Sequence, residues 1–147
     1  MKKTQKKLGN KGFSLVELIV VIAIMAVLVG VLAPTLIKNI EKSRESKDAQ
    51  NCEQIKSAAE IALQNETAYS DNVPTGASAA DKLLVTIKSS SGATDVTVNA
   101  AGTEFKAEFD GQIDTSKTKL TSKKYKDAEI KINVNNKGQV TIVGLPS

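Results

Sequence analysis

A run of apolar residues near the N-terminus limits what this chain can fold into more than any other feature. From Leu18 to Ala33, sixteen consecutive residues are apolar, and the 25 residues from Phe13 to Ile37 include only Ser14, Glu17 and Thr35 as polar side chains. A helix of that length spans the roughly 30 Å hydrocarbon core of a bilayer. Five lysines and no acid precede the run, which predicts that this end faces the cytoplasm. The sequence therefore predicts a single-pass membrane protein whose C-terminal part lies outside.

Two features distinguish the segment from an ordinary membrane anchor. Glu17 places a carboxylate in the apolar stretch, and charges within membrane helices are costly, usually paired and functional. Gly12 and Phe13 join the lysine-rich part to the apolar part. An ordinary secretory signal is cut after its apolar core, but here Pro34 directly follows the small residue Ala33, and its fixed φ and missing N–H disfavour a cut there. The more natural cut lies between Gly12 and Phe13.

The residues around this junction resemble a known signal. The sequence G-F-S-L-V-E-L from Gly12 to Leu18, with a lysine-rich leader before it and a long apolar helix after it, resembles the class III signal of type IV prepilins. The resemblance covers Gly12 to Pro34. It implies that a prepilin peptidase cuts after Gly12, that the new terminal Phe13 is N-methylated, and that Glu17 guides assembly. It further implies that the chain forms a homopolymer with other pilin subunits, with an inner-membrane assembly platform as a further partner. No cofactor is predicted.

A cut at this position gives Glu17 a physical task. Cleavage creates a positively charged α-amino group on Phe13, and Glu17 lies four residues further on, one helical turn along the same face. The carboxylate would pair with its own terminus or with that of a neighbouring subunit. Because an unpaired charge in a low dielectric is much costlier than a paired one, a correctly seated neighbour would fix the register. The alternative is that Glu17 only reaches the lipid headgroups from near the membrane edge.

The segment predicts one long helix from about Phe13 to Gln64. Gly30 and Pro34 weaken a helix, so a kink is expected near Pro34. The predicted parts are a leader at 1–12, which is removed, a hydrophobic transmembrane and filament-core half at 13–37, an amphipathic half at 38–65, and a globular β-rich head at 66–147. Apolar residues keep helical spacing in the second half, and these are Ile37, Ile40, Cys52, Ile55, Ala59, Ala62 and Leu63. Cys52 fits this face as a small buried hydrophobic residue, and the mixed-charge segment Glu41–Asp48 is interpreted as a solvated surface, with intersubunit ion pairs as the alternative.

The apolar period changes from helical to alternating after a predicted loop at residues 65–81. Five alternating runs predict strands with one apolar face each, and they contain Leu83, Val85 and Ile87; Val96, Val98 and Ala100; Phe105, Ala107 and Phe109; Ile130, Ile132 and Val134; and Val140 and Ile142. Asn135–Gly138 is predicted as a hairpin turn. The fold class is therefore α+β: a long N-terminal helix packed on an antiparallel sheet of four to five strands, as the pilin resemblance also implies.

The predicted loop at 112–127 is basic, with five lysines and a tyrosine: Lys117, Lys119, Lys123, Lys124, Lys126 and Tyr125. Such a cluster is weak support for binding of nucleic acid or an anionic cell surface, and a solvated loop is the favoured interpretation. Net charge does not favour nucleic acid either. Without the five leader lysines, 15 basic and 16 acidic residues remain, a net charge of −1 instead of the +4 of the whole chain.

The sequence offers little for catalysis or metal binding. It has no histidine and only one cysteine, which removes the commonest general base and any intramolecular disulfide. Asp110, Gly111 and Asp114 do not complete a calcium loop, and Asp110-Gly111 is expected to form a turn between strands. Neither an enzyme nor a metal site is predicted.

These observations predict a structural subunit, a major pilin of a type IV pilus that serves adhesion, aggregation or twitching motility. The subunit would reside in the membrane before assembly and in an extracellular filament on the bacterial surface afterwards. One alternative is a pseudopilin of a type II secretion or DNA-uptake system. A second is a monomeric, membrane-anchored extracellular binding domain, which would keep an unprocessed N-terminus.

Overall fold

The computed structural model describes residues 12–90 and 93–146. The predicted leader lies outside the described residues, except for Gly12. The chain divides into two compact units, one ending at Asn39 and the other comprising residues 40–147, which we call the C-terminal unit. The expected fold class is confirmed: a long N-terminal helix packs on a four-stranded antiparallel sheet.

The first helix, α1, extends over Leu15–Ala62. It continues without a break in its helical assignment through Gly30 and Pro34, and the kink expected there stays a prediction. Its buried residues follow helical spacing and all belong to the C-terminal unit: Asp48, Cys52, Ile55, Ala58, Ala59 and Ala62. The buried apolar face of this half therefore begins at Cys52. Ile37 and Ile40, which were predicted to belong to it, are 64% and 44% exposed.

The sheet is built from β1 (Lys82–Ser90), β2 (Ala93–Val98), β3 (Glu129–Val134) and β4 (Val140–Val143), with the spatial order β2-β1-β3-β4 and antiparallel pairing throughout. The predicted turn at Asn135–Gly138 connects β3 to β4, with Gly138 at a φ of 75°. The core between helix and sheet includes Ile55 and Ala59 from α1 and Ile87, Ile130 and Ile132 from the sheet, all fully buried.

One predicted strand is wrong. Phe105 and Phe109 lie on a helix, α3 (Thr103–Gln112), and their rings stack at a centroid distance of 6.0 Å. Residues at i and i+4 share a face on a helix, and they also share a face on a strand, so the apolar spacing alone fitted both. The intervening Ala107 is exposed, which agrees with the helix. Asp110 and Gly111 accordingly lie in the last turn of α3, and the turn expected between two strands is also wrong.

Two further predictions need correction. The predicted loop at 65–81 contains a short helix, α2 (Glu66–Asn72), capped by the Asn65 side chain, which accepts hydrogen bonds from the N–H groups of Thr67 and Ala68. In β1, the alternation fails at its start, because a bulge between Leu83 and Val85 adds one residue. Leu84 is fully buried and Leu83 only partly so.

Gly144, just after β4, provides a test of this fold. Its φ is 87°, and a Cβ there would lie 2.5 Å from the backbone oxygen of Glu129. Gly144→Ala is therefore expected to lower the free energy of unfolding by about 2 kcal/mol, from the strained φ and the displaced β3 backbone. Thermal unfolding followed by circular dichroism measures the change. Gly111→Ala is the matched control: a Cβ there meets nothing within 4 Å and improves helix propensity, so equal losses in both variants would contradict the argument.

Candidate functional site

The segment that precedes α1 holds the predicted cleavage junction in non-helical backbone. Residues 12–14 have no regular secondary structure, and α1 begins at Leu15. The Ser14 carbonyl accepts the first hydrogen bond of the helix, from the Leu18 N–H at 3.2 Å. The Phe13 side chain is 83% exposed, and a Cβ on Gly12 would meet nothing within 4 Å. The Gly12–Phe13 peptide bond therefore lies in an open, non-helical stretch directly before the helix.

Glu17 closes this end of the helix. Its Oε2 accepts a hydrogen bond from the Ser14 N–H at 2.8 Å, and the Val16 N–H donates to Ser14 Oγ at 3.4 Å. A serine before a helix and a glutamate three residues later form a capping box, in which the glutamate binds back to the capping N–H. The spacing Ser14-x-x-Glu17 in the sequence is the signal of this box. The carboxylate thus lies beside the Ser14 amide nitrogen, one residue after the nitrogen that would become the new terminus.

The rest of this unit exposes apolar side chains all around the helix. The large hydrophobic residues from Phe13 to Ile37 are each at least half exposed. This part of α1 is long enough and apolar enough to cross a membrane. Within the segment, the structure places the predicted site residues in two groups: Gly12, Phe13 and Glu17 lie together at the N-terminal end, whereas Gly30 and Pro34 lie four and five turns further along the helix.

A model of one protein family matches this segment. Its description is the prokaryotic N-terminal methylation motif, and the match covers residues 7–33. The chain carries the class III signal peptide of type IV pilins. The motif supports a type IV pilin-like prepilin and indicates a structural protein. A comparison with curated proteins gave no match, and a comparison with solved structures gave none either.

Beyond the pilin signal, a buried carboxylate fastens a loop to α1. Asp48 is fully buried. Its Oδ2 accepts hydrogen bonds from the Ser122 N–H at 2.7 Å, from Ser122 Oγ at 2.6 Å and from the Thr121 N–H at 3.0 Å, and its Oδ1 also lies 3.0 Å from the Thr121 nitrogen. A buried charge is tolerated only when it is well hydrogen-bonded. We call this arrangement the Asp48 clamp.

The interpretation of residues 41–48 as a solvated surface is wrong at Asp48, which is buried, and incomplete at Glu41, which is half-buried. Glu41 accepts a hydrogen bond from the Lys123 N–H and also lies 3.8 Å from Arg44. Asn51, one turn after Asp48, donates from Nδ2 to the Lys119 carbonyl at 2.9 Å. Glu41 and Asp48, with Asn51 one turn further on, therefore bind the backbone of residues 119–123 within the same chain. The remaining polar residues at 42–44, 46 and 47 are exposed. These contacts could not be predicted from the sequence, because the partners lie 68 to 82 residues further along the chain.

The basic loop is only partly available to partners. Tyr125 is 5% exposed and belongs to the core, so its ring is not free to stack on a base, and the pairing of this aromatic with the lysines proposed from the sequence is wrong. The five lysines are exposed.

Cys52 is fully buried, as predicted, and burial, with Asp48 and Glu53 nearby, raises the pKa of its thiol to about 12. An inert structural thiol follows.

Residues 12–90 and 93–146 contain no group of three or more histidine, cysteine, aspartate or glutamate side chains that could hold a metal ion. The Asp114 carboxylate binds residues of its own turn. Its Oδ1 accepts a hydrogen bond from the Ser116 N–H at 3.1 Å, and its Oδ2 lies 2.9 Å from Lys117 Nζ. Hydrogen bonds from the Ser116 hydroxyl and from Lys117 lower the pKa of Asp114 to about 2.

Proposed function

We propose that the chain is the structural, major subunit of a type IV pilus. A prepilin peptidase cuts it between Gly12 and Phe13, Phe13 is N-methylated, and the subunit waits in the membrane before it polymerises into a surface filament. The observation that carries this proposal is the uncovered apolar surface of residues 13–37, most of which lies within a motif of the pilin type. Such an apolar surface must be shielded from water, by lipid before assembly and by the same helix of neighbouring subunits in the filament.

The capping box supports a sequence of events at the N-terminus. In the uncut chain the Glu17 carboxylate has a neutral partner, the Ser14 N–H, so that it is hydrogen-bonded before any amine exists. Cleavage then produces an α-amino group one residue before Ser14. Glu17 exchanges a neutral donor for a charged one, either its own Phe13 amine or that of an adjoining subunit, and charge-assisted hydrogen bonds are roughly twice as strong as neutral ones. Pairing between subunits sets their axial register.

The energy for the polymer comes from the same apolar segment. Relative to a single chain in water, burial of this apolar surface in a filament contributes roughly 25 cal/mol per Å², since the large apolar side chains from Phe13 to Ile37 are at least half exposed. Relative to a chain in the membrane, where these groups are already out of water, the filament gains from close helix packing and from paired charges at Glu17. The C-terminal unit then covers the outside of the filament.

Mass spectrometry of the native N-terminus tests the proposal. The mature chain is expected to begin at Phe13 and to carry one additional methyl group, whereas a plain membrane anchor keeps residues 1–12. A bulky residue in place of the glycine, as in Gly12→Val, is expected to leave the leader attached, because a β-branched side chain beside the peptide bond to be cut obstructs the peptidase. Within the chain itself the change should be tolerated, since a Cβ on Gly12 meets nothing within 4 Å. A mature chain that retains residues 1–12 in wild-type cells would refute the proposal. Short or absent surface fibres around a correctly processed chain would instead favour a pseudopilin.

A further inference from the structure

A basic cleft lies at one end of the C-terminal unit. Its volume is about 430 Å³, and its lining includes Arg44 from α1, Ser89 from the end of β1, and Lys123 and Lys126 from the loop held by the Asp48 clamp. All three cations are exposed. We call this the basic cleft.

An acidic cleft lies at the other end of the same unit. Its volume is about 470 Å³, and its lining includes Glu60 from α1, Glu66 and Tyr69 from α2, and Gly138 from the turn between β3 and β4. The Tyr69 ring closes over Gly138, where a Cβ would lie 2.8 Å from a ring carbon. We call this the acidic cleft.

The charges of the two clefts are only partly neutralised within the chain. In the basic cleft, Glu41 is near Arg44, but neither Lys123 nor Lys126 has an ion-pair partner in the part of the chain that the structure describes. In the acidic cleft, Glu60 lies 3.7 Å from Lys56, while Glu66 has no such partner among residues 12–90 and 93–146. Each cleft therefore presents unpaired charge of one sign.

Their separation follows from two elements of the unit. Arg44 and Glu60 are sixteen residues apart on α1, which corresponds to about 24 Å along the helix and about 160° around it. Along the sheet, Ser89 lines the basic cleft, and Lys82 pairs with Val134 of β3, near the turn that carries Gly138. Seven residues of strand span about 23 Å. Both estimates place the clefts at opposite ends of the unit, and the helix also places them on opposite sides.

We propose that these clefts dock two copies of this chain, with Glu60 and Glu66 of one copy facing Arg44, Lys123 and Lys126 of a neighbour displaced by about 20–25 Å along α1. The inference rests on the proposed function, because it concerns how filament subunits are arranged. Two different surfaces on opposite sides form a heterologous contact, which continues as an open helical polymer when it does not close into a ring. Complementary charge selects the register and rejects wrong partners, more than it adds affinity.

Charge reversal with rescue tests this arrangement in the native bacterium. The variants are Lys123→Glu with Lys126→Glu, Glu60→Lys with Glu66→Lys, and the four changes combined. Each reversal alone is expected to reduce the filaments sheared from cells by about tenfold or more, since like charges placed opposite each other are strongly unfavourable. The combined variant is expected to recover most of the wild-type yield. Lys131→Glu, on β3 and outside both clefts, is the matched control, because this lysine is exposed and has no ion-pair partner among the described residues. It is expected to leave the yield unchanged.

The readouts separate the inference from the function on which it rests. Amounts of processed subunit in the membrane must be equal in all variants, which is measured by mass spectrometry. If wild-type cells make no filaments, the proposed function fails. If wild-type cells make filaments and the single reversals do so equally well, or the combined variant recovers nothing, the docking of these clefts is overturned. Normal filaments that have only lost binding to a polyanion such as heparin would also overturn it, and would assign the basic cleft to an external ligand.

Discussion

A Glu17→Gln variant is expected to be cut and methylated normally but to yield almost no filaments. Glutamine keeps an oxygen that can accept the Ser14 N–H, so the capping box and the start of α1 survive. The negative charge is lost, and the Phe13 amine of the processed chain then has no carboxylate to pair with. Removal of one partner from a buried ion pair costs roughly 3–5 kcal/mol, which is more than a hundredfold in an association equilibrium. Electron microscopy of sheared filaments, together with the mass of the N-terminus, measures both effects.

Two comparisons make this result specific to charge. Glu17→Ala removes both cap and charge, and it is expected to assemble as poorly as the glutamine variant. Glu17→Asp keeps the charge on a shorter side chain and is expected to recover part of the assembly. If Glu17→Gln forms normal filaments while Glu17→Ala does not, the cap is what matters, and the pairing of Glu17 with Phe13 is wrong. Normal filaments from Glu17→Ala would remove any assembly role for this residue.

Loss of the Asp48 clamp is expected to destabilise the C-terminal unit and to release its basic loop. Asp48→Ala leaves the N–H groups of Thr121 and Ser122 and the Ser122 hydroxyl without their acceptor. Each buried donor left unsatisfied costs about 1–3 kcal/mol, so the free energy of unfolding should fall by about 3 kcal/mol or more. The loop carries Lys123 and Lys124, so trypsin reports its release directly. Cleavage there should become at least about tenfold faster in the detergent-solubilised chain, with a lower thermal midpoint.

Asp114→Asn is the matched control for this change. Asp114 also accepts a backbone N–H from a residue of the same loop, Ser116, but it is exposed, so water replaces what is lost and stability should change little. Asp48→Asn retains one acceptor oxygen and should fall between the wild type and Asp48→Ala. If Asp48→Ala unfolds and is cleaved like Asp114→Asn, the buried carboxylate does not fasten the loop.

Local pattern sufficed wherever a short stretch of sequence determines the structure. The apolar run and the signal formed by Gly12, Phe13 and Glu17 lie in one continuous stretch. The helix could therefore be predicted, and the pilin signal recognised, from local sequence alone. Spacing of apolar residues also placed Cys52 on the buried face of α1 and predicted β3. It misled at Phe105 and Phe109, whose interval of four fits a helix and a strand alike.

The Asp48 clamp could not be predicted for a different reason. The aspartate ends a run of mixed charges, E-K-S-R-E-S-K-D, which is typical of an exposed helix surface. What buries it is a loop whose residues lie 73 and 74 positions further along the chain. The donors are mainly backbone N–H groups, which every residue type except proline supplies. No side-chain pattern therefore marks the partner, and the same is true of Glu41 with the Lys123 N–H.

The clamp also makes the fold independent of oxidation. Cys52 is the sole cysteine of the chain and is buried, so no covalent bond within the chain holds the loop at 112–127 to the helix. Hydrogen bonds to a carboxylate join positions 74 residues apart, much as a cross-link would, yet they form as soon as the chain folds. A protein built in this way needs no thiol oxidant or disulfide isomerase to fold, and its surface loop keeps its place in a reducing environment.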